Sequence, residues 1–165
     1  MKAIVAVDKN WGIGRNNDLL FSIPEDMKFF RQTTLNKVVV MGANTLRSFP
    51  NGNPLKNRTN IVLSSTIKRD DCQIFSSLDS LLTHLKEINS NDLFVIGGAM
   101  LYKTLLEFCD EVFVTKVDAD GNATVFFENL DNLDNFKCIY ESETFNSNGY
   151  EFKFLTYKNL SVKPL

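Results

Sequence analysis

Apolar residues recur along the chain in short runs, and the runs are of two kinds. Lys2–Val7 (KAIVAV), Lys37–Met41 (KVVVM), Thr59–Leu63 (TNIVL), the short Cys72–Phe75 and Asp92–Ile96 are continuous, the pattern of strands buried on both faces. Glu111–Val117 (EVFVTKV) alternates and predicts another strand. Phe136–Phe145 and Tyr150–Lys158, joined by Asn146–Gly149, predict a C-terminal hairpin. Helical spacing runs over Glu25–Thr34, Leu78–Ile88 and Gly98–Phe108, with a further helical turn after Gly42 for which Asn44 and Thr45 are candidate caps. Asp8–Asp18, Phe49–Asn57 and Asp118–Phe127 read as loops by their Gly, Asn and Pro content. Strands alternating with helices give an α/β class with a mostly parallel sheet, edged by the antiparallel hairpin. The 165 residues fit a single domain over 1–165, with Asn159–Leu165 expected to fray.

Two strand ends stand out for their chemistry. The run Leu93–Ile96 stops at Gly97-Gly98 and the helical pattern of Ala99–Leu106 begins at once; Lys37–Met41 stops likewise at Gly42. Glycine lets the backbone turn sharply and lets a ligand approach closely, and a following helix start presents unpaired N–H groups to an anion. Each junction is a candidate phosphate cradle or simply a turn. Gly12-Ile13-Gly14 is not followed by a third spaced glycine, since position 17 is Asn17, so the dinucleotide fingerprint is absent there.

Composition narrows the classes. The 18 basic and 20 acidic residues leave a net charge of −2, and without a basic run neither nucleic acid nor a membrane surface is an expected partner. No apolar run is long enough to cross a bilayer, and Met1-Lys2 leads straight into AIVAV without a signal-peptide pattern, so a cytoplasmic location is expected. The 14 Phe predict an aromatic-rich core. Cys72, Cys109 and Cys138 have no ligand spacing with histidine, so no metal is expected. His84, the only histidine, is expected on the surface of its helix, which removes the usual Ser–His or Cys–His hydrolase systems. Trp11, apolar inside a polar loop, reads as an anchor.

Ser22 and Glu25 have capping-box spacing and Pro24 suits a first helical turn. Glu25 and Asp26 then complement the helix dipole. Asp26, however, shares a face with Phe30, and with Met27 and Phe30 turned inward it is also a candidate perturbed carboxylate in a cleft. Arg58, between loop and strand, is either a solvated residue or a fork for a carboxylate.

AIVAVDKNWGIG, SIPEDMKFFRQTT, VVVMGANT, FPNGNPLKNRTNIVLSS and VIGGAMLY, in this order and spacing, resemble dihydrofolate reductases over about the whole chain. The resemblance implies a mostly parallel eight-stranded sheet with flanking helices, and reduction of 7,8-dihydrofolate to tetrahydrofolate by NADPH in a monomer. It implies a catalytic group of Asp26, Thr115 hydrogen-bonded to it, and Phe21 beside the active-site water. It implies substrate contacts from Ile4, Val5 and Ile96 through their backbone, from the apolar walls Met27, Phe30, Phe49 and Leu55, and from Arg58 on the α-carboxylate. It implies cofactor contacts from Ala6, Ile13, Gly14 and Leu19 around the nicotinamide. Gly42, Ala43, Asn44 and Thr45, with Gly97, Gly98, Ala99, Met100, Leu101 and Tyr102, would hold the phosphates, and Leu63, Ser64 and Ser65 the adenosine side.

The chain departs from the family at four places. Phe21 replaces a usual tryptophan, Ala43 and Met100 stand where arginines often meet the 2′-phosphate, and Asn122–Thr124 replaces a usual Gly-Asp pair. Ser64, Ser65, Lys68 or Arg69 would then supply any 2′-phosphate contact, and a narrower preference for NADPH over NADH is expected. Two other readings fit part of the pattern. Riboflavin-pathway pyrimidine reductases share the Gly-Gly junction but not the Pro-Glu-Asp helix together with Arg58. A non-enzymatic nucleotide-binding protein has no need of Asp26.

Overall fold

The computed structural model describes residues 1–165. Its strands are β1 (Lys2–Val7), β2 (Gly12–Gly14), β3 (Val38–Gly42), β4 (Thr59–Leu63), β5 (Gln73–Phe75), β6 (Leu93–Gly97), β7 (Glu111–Val117), β8 (Val125–Phe126), β9 (Phe136–Glu141), β10 (Phe145–Ser147) and β11 (Tyr150–Asn159). Its α-helices are α1 (Pro24–Thr34), α2 (Ala43–Ser48), α3 (Leu78–Leu85) and α4 (Ala99–Leu105). The main sheet runs β10-β11-β7-β1-β6-β3-β4-β5, with β9 also on β11. Only the pairings of β11 are antiparallel. Counting β9 and β10 as one interrupted strand, this is the eight-stranded, mostly parallel sheet that the α/β pattern and the resemblance imply.

Helices cover both faces. The largest core cluster joins Val5, Val40, Ile61, Val95 and Val114 to Leu81 and Leu85 of α3 and to Leu101 and Leu105 of α4. On the opposite face Leu46 of α2 packs on Val39, Met41 and Val62. Beneath α1, the ring of Phe29 meets Phe154 at 4.8 Å and Phe113 at 6.4 Å, and Phe113 stacks on Phe94. Part of the phenylalanine excess builds this α1 layer, while Phe108, Phe127 and Phe136 lie in the large core.

Connections leave neighbouring β1 and β6 in opposite directions. β1 leads through α1 to β3, and β6 leads through α4 to β7 on the other side of β1. In open α/β sheets such a switch point forms a crevice beyond the carboxyl ends of the strands, where ligands bind.

Several local expectations are corrected. The residue capping α1 is Ile23, without a side-chain bond; Ser22 lies outside the helix, and Pro24 sits in its first turn. Gly42 caps α2, and Asn44 and Thr45 are inside that helix. The expected loops Asp8–Asp18 and Asp118–Phe127 pair with each other through β2 and β8. A Cβ on Gly12 would collide with Ala123, so glycine is what lets the two segments meet. The first hairpin strand breaks at Ser142, whose Oγ accepts from the Phe154 N–H at 2.8 Å in place of a ladder carbonyl. α3 ends at Leu85, earlier than its apolar spacing implies, while α4 passes after Leu105 into a 3-10 turn, Leu106–Phe108, that carries the helical segment to its expected end. His84 is half-buried, stacked on Phe75 at 4.8 Å, rather than a free surface residue. The end of the chain is tied down: Asn159 is buried, and the N–H groups of Leu160 and Lys163 donate to Asn135 and Glu107. No helix is long and apolar enough to cross a membrane.

Candidate active site

Asp26 lies in the first turn of α1, with its side chain turned to the sheet. Thr115, on β7 and 2% exposed, donates its hydroxyl to Asp26 Oδ1 at 2.6 Å. Register pairs Thr115 with Ala6 and Phe113 with Ile4, so these four side chains share the face that α1 covers. Burial raises the Asp26 carboxyl above the ordinary range; the Thr115 bond favours the ionised form and offsets part of that rise. Val5 points the other way, into the large core, and reaches this side only through its backbone.

The far end of α1 meets the start of β4. Thr34 is fully buried and donates to Phe30 O at 2.8 Å. Its hydroxyl also accepts from Arg58 Nη1 at 3.2 Å, while Arg58 Nε donates to Lys56 O at 2.9 Å. Partial burial and the neighbouring Arg31 lower the proton affinity of Arg58 without discharging it. Arg31 is a second cation at this end, and sequence reading passed it over; its signal was a basic residue in the last turn of the helix that carries Asp26. Phe49, Leu55 and Ile96 are partly buried and each packs against the cluster of Val39, Met41, Leu46 and Val62. Met27 is 57% exposed rather than turned inward; Phe29 and Phe30 are both half-buried, and it is Phe29 whose ring meets Phe113 and Phe154 of the sheet.

The two glycine junctions lie side by side. Met41 pairs with Gly97, and a Cβ on Gly42 would stand 3.8 Å from Gly98 N. Gly97 has φ 137°, and a Cβ there would be 2.9 Å from Thr45 Oγ1. Backbone without side chains, at the carboxyl ends of two adjacent parallel strands, fits a diphosphate. Leu101 and Tyr102 turn into the core; the Tyr102 hydroxyl donates to Ile4 O at 2.7 Å, which fixes β1 rather than a ligand. Ala43 is half-buried, Asn44 exposed and bonded to Arg47, Ala99 half-buried, and Met100 81% exposed.

Leu63 ends β4 and Ser64 follows it. Ser64 Oγ accepts from Thr66 and Ile67 N–H and shapes its own turn, while Ser65 and Lys68 are exposed. Arg69 is engaged: Nε and Nη2 grip Asp71 at 2.8 and 2.6 Å, and Nη1 donates to Gly52 O at 2.6 Å. It is therefore not the free 2′-phosphate cation that sequence reading allowed.

The Asp8–Leu20 loop closes the remaining side. Trp11 anchors it, 3% exposed between Phe127 and Tyr157 with Lys116 over its ring. Ile13 packs on the large core, Gly14 pairs with Val125, and Leu19 is 71% exposed. Phe21 packs with Ile23, Val117 and Phe152 and meets Tyr150 edge-on at 4.9 Å, so it offers the site an apolar wall and no proton. The expected loop Asp8–Asp18 begins with a buried acid, Asp8. It is 1% exposed and accepts from the N–H groups of Asn10, Gly12 and Gly121 at 2.8, 2.7 and 3.0 Å, which clips this loop to the one after β7.

A parallel sheet with a crevice at its switch point, a glycine cradle and a lone carboxylate in the cleft places the molecule among α/β enzymes that bind nucleotide and substrate at strand ends. The family model described as "Dihydrofolate reductase" matches residues 1–159. The chain is 34% identical to a dihydrofolate reductase of Schistosoma mansoni, over 95% of each chain. It is 33% identical to that of Bacillus subtilis (strain 168), over 94% of this chain and 92% of the relative, and 31% identical to that of Haemophilus influenzae, over 92% and 94%. The chain belongs to the dihydrofolate reductase family.

Proposed function

We propose that the chain is an NADPH-dependent oxidoreductase that reduces 7,8-dihydrofolate to 5,6,7,8-tetrahydrofolate, acting as a monomer through one domain spanning residues 1–165. When bound, NADPH supplies the hydride. The observation that carries the reading is the pair of opposite charges at the two ends of α1. Asp26 and the Arg58 contact Thr34 are eight residues apart on one helix, or about 12 Å at the α-helical rise. A substrate with a protonatable ring at one end and a carboxylate at the other fits that span.

Asp26 accepts hydrogen bonds from the pterin ring and favours the form protonated at N5, with water delivering the proton. Thr115 keeps the carboxylate pointed at that ring. Phe30, Phe49, Leu55 and Ile96 exclude water from the ring and benzoyl positions, which strengthens the electrostatics of the single charge. Arg58 retains three of its five N–H donors beyond those given to Lys56 and Thr34. These bind the substrate's carboxylate. The Gly42 and Gly97-Gly98 junctions hold the cofactor's phosphates, Ser65 and the end of β4 flank its adenosine, and Ala6, Ile13, Gly14 and Leu19 border the nicotinamide.

The test is oxidation of NADPH by the purified protein with and without dihydrofolate. Oxidation should depend on dihydrofolate and yield tetrahydrofolate. Turnover that is absent, or indifferent to dihydrofolate, overturns the reading.

A further inference from the structure

The segment that carries Leu55 and Arg58 belongs to no strand, and Asn57 within it has φ 60°. The Asn57 carbonyl accepts from Asn36 N–H at 2.8 Å, and the peptide groups of Leu55 and Arg58 are fixed by one side chain. Asn60, on β4 and 7% exposed, accepts from Leu55 N–H at 3.0 Å. Its amide nitrogen donates to Leu55 O at 2.9 Å and to Arg58 O at 3.0 Å. The acceptor and both amide hydrogens of the carboxamide are thus used on the two residues that face the cleft from this segment. A buried amide satisfied in this way substitutes for a sheet ladder that the segment lacks. Arg58 is then oriented twice, by its backbone through Asn60 and by its side chain through Lys56 O and the buried Thr34 hydroxyl.

We propose that Asn60 is a positioning residue for substrate binding, holding the Leu55–Arg58 turn so that the free edge of the guanidinium faces the substrate's carboxylate. This rests on the assignment of Arg58 to that carboxylate. Asn60 touches no substrate atom and takes no part in proton or hydride transfer.

The experiment uses the full chain and two substrates, dihydrofolate and a 6-methyl-7,8-dihydropterin that lacks the benzoylglutamate tail. Asn60→Ala should raise KM for dihydrofolate about tenfold to a hundredfold, the worth of a misdirected charge-assisted bond. Its kcat should stay within about twofold, the signature of lost uniform binding. KM and kcat for the tail-less pterin should both stay within about twofold, because no carboxylate is there to be misplaced. In an Arg58→Leu background, Asn60→Ala should add less than about twofold, since residues acting through one interaction are not additive.

Equal losses on the two substrates, or losses that multiply in the double variant, overturn the proposal. Asn60→Asp keeps the size and the acceptor toward Leu55 but sets an oxygen against two carbonyls. It should reproduce the same split. If neither variant folds, as judged by thermal unfolding, Asn60 is a folding residue and the proposal is overturned. The underlying reading fails separately: Arg58→Leu alone would then weaken the tail-less pterin as much as dihydrofolate.

Discussion

Asp26→Asn keeps the side-chain shape and removes the charge, and it should move activity and stability in opposite directions. The wild-type carboxylate is held by one side-chain donor, Thr115 at 2.6 Å, and burial outweighs that bond, so its proton affinity is raised. An unfolded aspartate has a pKa of about 3.9. The folded chain thus binds the proton more tightly than the unfolded one, and stability falls as pH rises through the raised folded value. At neutral pH the charged carboxylate costs stability, about 1.4 kcal/mol for each tenfold change in proton affinity. The asparagine avoids that cost, and its Oδ1 still accepts from Thr115. The variant should therefore melt higher than wild type at neutral pH, by about 2–4 °C per kcal/mol for a chain of this size. The advantage should vanish as pH drops toward the unfolded value. Turnover should fall by about two to four orders of magnitude at neutral pH, the range for a general acid–base group, and recover in part in acid. The assays are NADPH oxidation and thermal unfolding across pH. Near-normal neutral turnover, or a variant that melts below wild type at neutral pH, would refute the reasoning.

Three further outcomes follow from the same geometry. Arg58→Leu should raise KM for dihydrofolate strongly with little change in kcat, by steady-state kinetics; a kcat loss at constant KM contradicts it. Gly97→Ala forces a Cβ into a φ of 137° and to 2.9 Å from Thr45 Oγ1. It should destabilise the fold by about 1–3 kcal/mol and weaken NADPH binding in a fluorescence titration; unchanged melting and affinity would remove the cradle argument. With Ala43 and Met100 uncharged and Arg69 bound to Asp71, NADPH should be preferred to NADH by only about tenfold to a few hundredfold. Ala43→Arg should widen the margin by tightening NADPH in the same titration, and a wild-type margin above ~10⁴ would mean a missed cation, on those per-bond values.

What was legible in the sequence was what a single segment decides. Continuous apolar runs ending in glycine marked β3 and β6 and their junctions, and Asp26 on the helix after Pro24 stood out because a carboxylate beside Phe30 needs a reason. Contacts between distant segments were not legible. Nothing local says that Gly12 lies against Ala123, or that Asp8 reaches Gly121, 113 residues on. The roles of Ser22 and Asn44 as caps failed because capping depends on backbone angles at one residue, and Ile23 and Gly42 have those angles without a side-chain bond. Arg69 looked free because a charge in a loop shows no partner until Asp71 and Gly52 are placed around it.

Two carboxylates are withdrawn from solvent near the same strand ends, and hydrogen-bond counting shows why only one is available for chemistry. An ionised carboxylate has about four acceptor sites. Asp8 fills three of them with backbone N–H groups of Asn10, Gly12 and Gly121, none of which can leave without opening a loop. Asp26 has one protein donor, the Thr115 hydroxyl, and its remaining lone pairs take no hydrogen bond from the protein. A group held by three backbone donors can clip two loops but cannot exchange those partners during a reaction. A group given a single hydroxyl is kept in orientation and still has to find its other donors in a ligand. In this chain the same residue type therefore serves as a structural clip at position 8 and is left at position 26 with acceptor sites open to a ligand.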